Sequence, residues 1–137
     1  HWVADHDALF ANLATVLRPG GRLVAQCGGA GNLATVVRAL EELGAAPFTG
    51  KVFATPERTE ERLPAAGFAR AECWLHAEPT PFETLDALET FLCTVVLRDH
   101  VLSMSDGETN AFAHAVASRL PRLELDYVRL NIDARRT

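Results

Sequence analysis

The sequence is poor in lysine. Lys51 is the only one, so the basic side of the balance is nearly all arginine. The formal net charge is -5 over 137 residues. Such a chain lacks the positive surplus that generic nucleic-acid binding and docking on an anionic membrane require, so neither partner is expected. No apolar run approaches the ~18–20 residues of a membrane-spanning helix. No basic stretch followed by an apolar one, the mark of a secretory leader, opens the chain. Cysteine is scarce as well. Cys27, Cys73 and Cys93 are odd in number, widely spaced and without a CxxC pair. They make no disulfide framework and point to a reducing, cytoplasmic compartment.

Nucleophile and metal chemistry are thinly supplied. The three serines, Ser103, Ser105 and Ser118, lie outside any GxSxG turn. Cys27 ends an expected strand and reads as a small core residue. Cys73 and His76 have a tempting spacing, but an odd separation on a strand puts two side chains on opposite faces. The remaining histidines, His1, His6, His100 and His114, are scattered. No metal is expected.

What is present is ordinary globular material, 48% hydrophobic and 23% charged. The length suits one domain. Asp5 can cap a helix with Leu9, Phe10, Leu13, Val16 and Leu17 on its apolar face. Arg18-Pro19-Gly20-Gly21 ends it. Arg22 to Cys27 reads as a short buried strand, followed by a Gly28-Gly29-Ala30-Gly31 loop. Asn32 is expected to cap a second helix bearing Leu33, Val36, Val37, Leu40 and Leu43, with Gly44 closing it. After a loop over 45–54, Thr55-Pro56-Glu57 starts a third helix, by capping threonine, first-position proline and first-turn acid. It should run to about Ala66, with Pro64 bending its last turn.

Phe68 to Ala77 alternates as a strand, and Glu78-Pro79-Thr80-Pro81 breaks it. Helices are expected from Glu83 to about Leu97 and from Asp106 to Leu120, with 98–105 ambiguous between them. Pro121 stops the second. A final strand spans roughly Asp126 to Asp133. The alternation predicts an α/β domain over 1–137. Glu57, Glu60 and Glu61 with Arg58 and Arg62 read as a solvated helix face.

The order of the pieces carries more than any one of them. It runs His1-Trp2-Val3 with Asp7 and Leu9-Phe10, then the turn Leu17-Arg18-Pro19-Gly20-Gly21-Arg22-Leu23-Val24. A long helix follows, then Ala65-Ala66-Gly67-Phe68 before a strand. This resembles the C-terminal half of a class I S-adenosylmethionine-dependent methyltransferase, in the trans-aconitate methyltransferase-like branch. Cys27-Gly28-Gly29-Ala30-Gly31-Asn32 is similar to the loop after that family's fifth strand.

The resemblance implies a Rossmann-like remnant of three strands, the fifth, seventh and sixth, with the seventh antiparallel between its neighbours. Flanking helices and a helical cap insert over 79–121 would complete it. It implies a C-terminal fragment of an enzyme that methylates a small molecule. His1 and Trp2 would lie beside the cofactor, and Arg98 and His100, with Asp99 between them in the insert, would contact an acidic substrate. The family's glycine-rich cofactor loop and ribose-binding acid belong to the other half. Gly28-Gly29-Ala30-Gly31 cannot replace them, because no acid follows ~20 residues on at a second strand end. The chain alone is therefore expected to bind no S-adenosylmethionine and to be inactive.

The chain begins with His1 rather than methionine, which reads as a piece of something longer. The alternative is a non-catalytic association module. Either way a homodimer is expected: the Arg22–Cys27 strand would offer an unpaired edge, and Leu9, Phe10, Leu13, Leu33, Val37 and Leu40 would form an exposed apolar patch. An autonomous hydrolase lacks any nucleophile–base constellation.

Overall fold

The computed structural model describes residues 1–137. In chain order the elements are α1 (His6–Val16), β1 (Arg22–Gly28), α2 (Ala34–Glu42), α3 (Pro56–Arg62), β2 (Phe68–Ala77), β3 (Thr80–Pro81), α4 (Leu85–Phe91), α5 (Arg98–Val101), α6 (Asp106–Ala117), β4 (Glu124–Leu125) and β5 (Val128–Arg136). A π-helical turn, Leu92–Val96, joins α4 to α5. The protein is mixed α/β with a small antiparallel sheet. It divides into two compact units.

The first unit comprises His1–Asn32, Gly50–Glu78 and Tyr127–Thr137. Its sheet has the order β1-β5-β2, with β5 antiparallel to both neighbours. Ala25 and Cys73 both lie opposite Ile132. With a side-chain period of two, that register sets Leu23, Ala25 and Cys27 on the same face as Leu130, Ile132 and Ala134. This face forms the core with Phe10 and Ala14 of α1, Leu63 and Phe68. Each fully buried large side chain there contributes roughly 1.5–3 kcal/mol.

The opposite face is polar. Arg22 grips the Asp133 carboxylate, its Nε at 2.9 Å, and Gln26 donates to Asn131 Oδ1 at 2.9 Å. So β1 is not the buried strand its apolar run suggested: Val24 points to this face and is 67% exposed.

Local signals set the ends of the elements. Asp5 Oδ1 accepts from Ala8 N at 2.9 Å, and Thr55 Oγ1 accepts from Arg58 N at 3.2 Å. Both are N-caps of the expected kind. The turn between α1 and β1 depends on Gly21, whose added Cβ would sit 2.7 Å from the Arg18 carbonyl oxygen. Helix α3 stops at Arg62, short of the expected Ala66. Pro64 therefore bends no helix; its carbonyl accepts from Gly67 N in the turn that leads to Phe68. Strand β5 runs beyond Asp133 to Arg136, because Arg136 N finds the Gly21 carbonyl.

The second unit comprises Leu33–Thr49 and Pro79–Asp126. Its core gathers Val36 and Leu40 of α2, Leu88 of α4, Leu92, Leu97, Val116 of α6 and Leu125. Here the sequence misplaced a cap. Asn32 does not cap α2. Leu33 takes that position in the left-handed region, φ 58°, with no side-chain cap of its own. The first turn is instead served from afar: Asp126 Oδ2 accepts from Thr35 N at 3.0 Å and Oδ1 from Thr35 Oγ1 at 2.6 Å. Asn32, in the first unit, accepts from Val128 N at 2.9 Å.

The expected helix from Glu83 to Leu97 is not continuous. Leu97 N reaches back five residues to Leu92 O, the π-type bond. Thr94 Oγ1 donates to Thr90 O at 2.8 Å, and such back-bonding competes with the helical ladder. Thr80–Pro81, expected to be a plain break, pairs with Glu124–Leu125. Helix α6 ends at Ala117 rather than Leu120, its last turn tightened by Arg119 N to Val116 O and Leu120 N to Ala117 O.

The expected apolar patch is absent as drawn. Phe10, Leu33 and Leu40 are buried, and Leu9, Leu13 and Val37 are half-buried.

Candidate functional site

Each unit carries one of the two pairs of residues singled out in the sequence. In the first unit, His1 is held firmly. Its Nδ1 accepts from Gly28 N at 3.0 Å, and its carbonyl accepts from Val52 N at 2.9 Å. Accepting at Nδ1 leaves a neutral ring's proton on Nε2. The imidazole lies 5.0 Å from the Trp2 ring and 5.7 Å from Phe53. Trp2 is 58% exposed, with the Lys51 ammonium 4.7 Å from its centroid. The structure thus brings His1 and Trp2 together at the C-terminal end of β1.

These residues do not make a complete seat for S-adenosylmethionine. A cation already lies over the Trp2 ring, where a sulfonium would compete for the π-face. The neighbouring glycines serve the protein's own packing. A Cβ on Gly29 would lie 2.5 Å from Leu75 Cδ2, and one on Gly28 3.0 Å from Phe53 Cε1. At Gly28 and Gly29 the space is filled by the protein's own side chains.

Beside His1 lies a narrow apolar cavity of about 90 Å3, bordered by His6, Leu9, Phe10, Ala25 and Cys27 among others. His6 is buried, and neither ring nitrogen has a hydrogen-bond partner. Burial lowers its pKa, helped by the positive charges of the N-terminus and Arg62. The imidazole is therefore a neutral core ring, packed edge-on against Phe10.

The second unit contains a cavity of about 360 Å3 lined by Ala46, Pro47, Asp99, His100, Met104 and Phe112, with Ala45 and Thr49 at its border. His100 is well fixed. Its Nε2 lies 2.8 Å from the Ala46 carbonyl oxygen, and its ring stacks on Phe112 at 6.1 Å and meets Phe48 edge-on. A carbonyl only accepts, so Nε2 carries a proton directed at it. Nδ1 is buried without a partner. Arg98 sits on the same helical turn, exposed, and does not line the cavity.

The sequence reading therefore found His100 but not its companions. Nothing in the local pattern points to Met104, Phe112 or the 45–47 segment as partners of Asp99 and His100. No local signal marks them, because the cavity is assembled from segments more than fifty residues apart.

Burial, then the nearby Glu60 charge, pushes the Cys73 thiol up to about 11, so it stays protonated at neutral pH. Cys73 is buried while His76 is exposed, as expected for opposite faces of a strand. No group of three or more His, Cys, Asp or Glu side chains converges to hold a metal ion. No helix is long and apolar enough to cross a membrane.

Comparison with known proteins adds no family to these observations: no protein-family model matches the chain, and no curated protein matches it.

Proposed function

We propose that this chain is the C-terminal portion of a cytosolic S-adenosylmethionine-dependent methyltransferase acting on a small molecule. In this reading it is a three-strand remnant of the Rossmann-like methyltransferase fold. The observation that carries the reading is the sheet order, with the last strand reversed and inserted between the other two. Two supports accompany it. His1 and Trp2 stand at the C-terminal end of β1, the end at which α/β sheets bind their ligands. All three cysteines are free, which suits a reducing compartment.

In this reading the chain contributes the substrate side, with His100 as a wall of the substrate cavity and Arg98 at the surface beside it. Its work is positioning and exclusion of water. The cofactor's methionine and ribose seats lie in the other half of the parent enzyme. The test joins the chain to the segment encoded ahead of His1. A glycine-rich strand–turn–helix there, and transfer of labelled methyl from S-adenosylmethionine to a small acceptor by the joined protein, are expected. The isolated chain should give no micromolar 1:1 heat of binding with S-adenosylmethionine. A joined protein with neither binding nor transfer sinks the proposal.

A second reading, an association module, rests on the free edge of β1. Gly29 N donates to Val128 O and Arg136 N to Gly21 O, so odd-numbered residues of β1 face β5. Arg22, Val24 and Gln26 then direct their backbone N–H and C=O groups outward. Pairing of this edge with a second copy would give a symmetric homodimer. Light scattering that finds a clean monomer at high concentration removes this reading.

A further inference from the structure

The cavity in the second unit has a chemical bias. Its walls are mostly apolar: Ala46, Pro47, Met104 and Phe112. Its polar lining residues are Asp99, His100 and, at the border, the uncharged Thr49, and no lysine or arginine lines it. The Nε2 proton of His100 is committed to the Ala46 carbonyl. His100 Nδ1 is itself buried, so what remains for a ligand is the negative charge of Asp99, with no lysine or arginine to meet an anion. Arg98, the one cation on this helical turn, stays outside. At about 360 Å3 the cavity lies at the small end of ligand-binding clefts.

From this charge pattern we infer that the cavity binds a primary amine carried on a compact apolar body, with the ammonium at Asp99 and the body against Pro47, Met104 and Phe112. The inference rests on the methyltransferase reading only in calling that ligand a substrate. It reverses the expectation of an acidic substrate held by Arg98. A carboxylate placed here would face Asp99 without a counter-charge, whereas an ammonium gains an ion pair.

The test is a titration of the full chain followed through its backbone amide resonances. The probes are phenethylamine and, as its charge-reversed counterpart, 3-phenylpropionate. Phenethylamine should shift the amides of Ala46, Asp99, His100 and Met104 saturably and bind about fivefold or more tightly than 3-phenylpropionate, the scale of a partly exposed ion pair. Asp99→Asn should abolish that preference while the rest of the spectrum stays in place. Phe112→Leu should weaken the amine and leave Asp99 in position. The inference is overturned if 3-phenylpropionate binds as well as the amine, if Asp99→Asn leaves the preference intact, or if the shifts fall elsewhere. No methyl donor is present, so failure here would leave the methyltransferase proposal standing. Failure of the joined protein to transfer methyl would leave amine binding standing.

Discussion

The two edges of the sheet in the first unit are built differently. Along β2 the edge is interrupted. The register slips between Ala69 and Glu72, and Arg70 adopts φ 52°, a left-handed backbone on a non-glycine residue. Further on, Cys73 N donates to Glu60 Oε1 at 2.8 Å, so a carboxylate from α3 occupies the place a neighbouring strand would take. Along β1 no bulge and no proline intervene. Only Gly28 N is claimed, by His1. Bulges and covered backbone groups are the usual protection of a terminal strand, and a flat strand without them is a template for pairing. The difference teaches that β2 is finished as an outside edge and β1 is not.

The strongest way to break the comparison is at the strands' side chains. Phe68 is buried at the start of β2. Phe68→Ala should cost ~3–5 kcal/mol in urea unfolding. Val24→Ala, on the exposed face of β1, should cost under ~0.5 kcal/mol. Equal losses would mean that β1 is covered.

Val24→Pro sharpens the contrast at the backbone. The outward N–H of residue 24 has no role in pairing with β5, so proline there should preserve the fold by circular dichroism. If β1 pairs with a second copy, the same change should weaken the dimer by ~100-fold in sedimentation, about 2.7 kcal/mol. An unchanged dimer places the interface elsewhere.

Glu60→Ala should open the protected edge. The Cys73 N–H would lose its acceptor beside a buried side chain, at a cost of ~1–3 kcal/mol. Arg70→Gly should act in the opposite direction, relieving the left-handed strain and gaining up to ~1 kcal/mol in thermal unfolding. A loss of stability in that variant would show that the Arg70 side chain itself holds the bulge.

The smallest expected effect is a pH slope. Burial holds the His6 pKa below its ordinary 6.5. The unfolded chain then binds the proton more readily, so His6 favours folding above pH 6.5 and loses that contribution as pH falls below it. His6→Leu should flatten the stability profile between pH 7 and 5. An identical slope in the variant would assign the effect to other groups.

Much of the chain's local order was legible in advance. Capping by Asp5 and Thr55, the glycine turn at 20–21 and the bounds of β2 rest on chemistry within a few residues and stand where expected, while β5 is displaced to Val128–Arg136. The misses have a common cause. The cap of α2 comes from Asp126, ninety-one positions from Thr35. The outward turn of Val24 depends on its register opposite Asp133, not on the apolar run in which it sits. For the candidate residues the pattern repeats. His1 and Trp2 were found together because they are neighbours, while Arg98 and His100, equally near in sequence, part company at the cavity wall.

The sequence by itself determined the starts of α1 and α3, the strand periodicity and the lack of positive surplus. These follow from residue type and short spacing, and no folding can alter them. Only the tertiary structure decided that Asp126 serves the first turn of α2, that Val24 turns outward, and that Asp99 rather than Arg98 lines a cavity with His100. The physical reason is that burial, pairing and charge environment are set by groups far apart in the chain. A side chain's chemistry is fixed when it is made, but what it meets is fixed only when the chain folds.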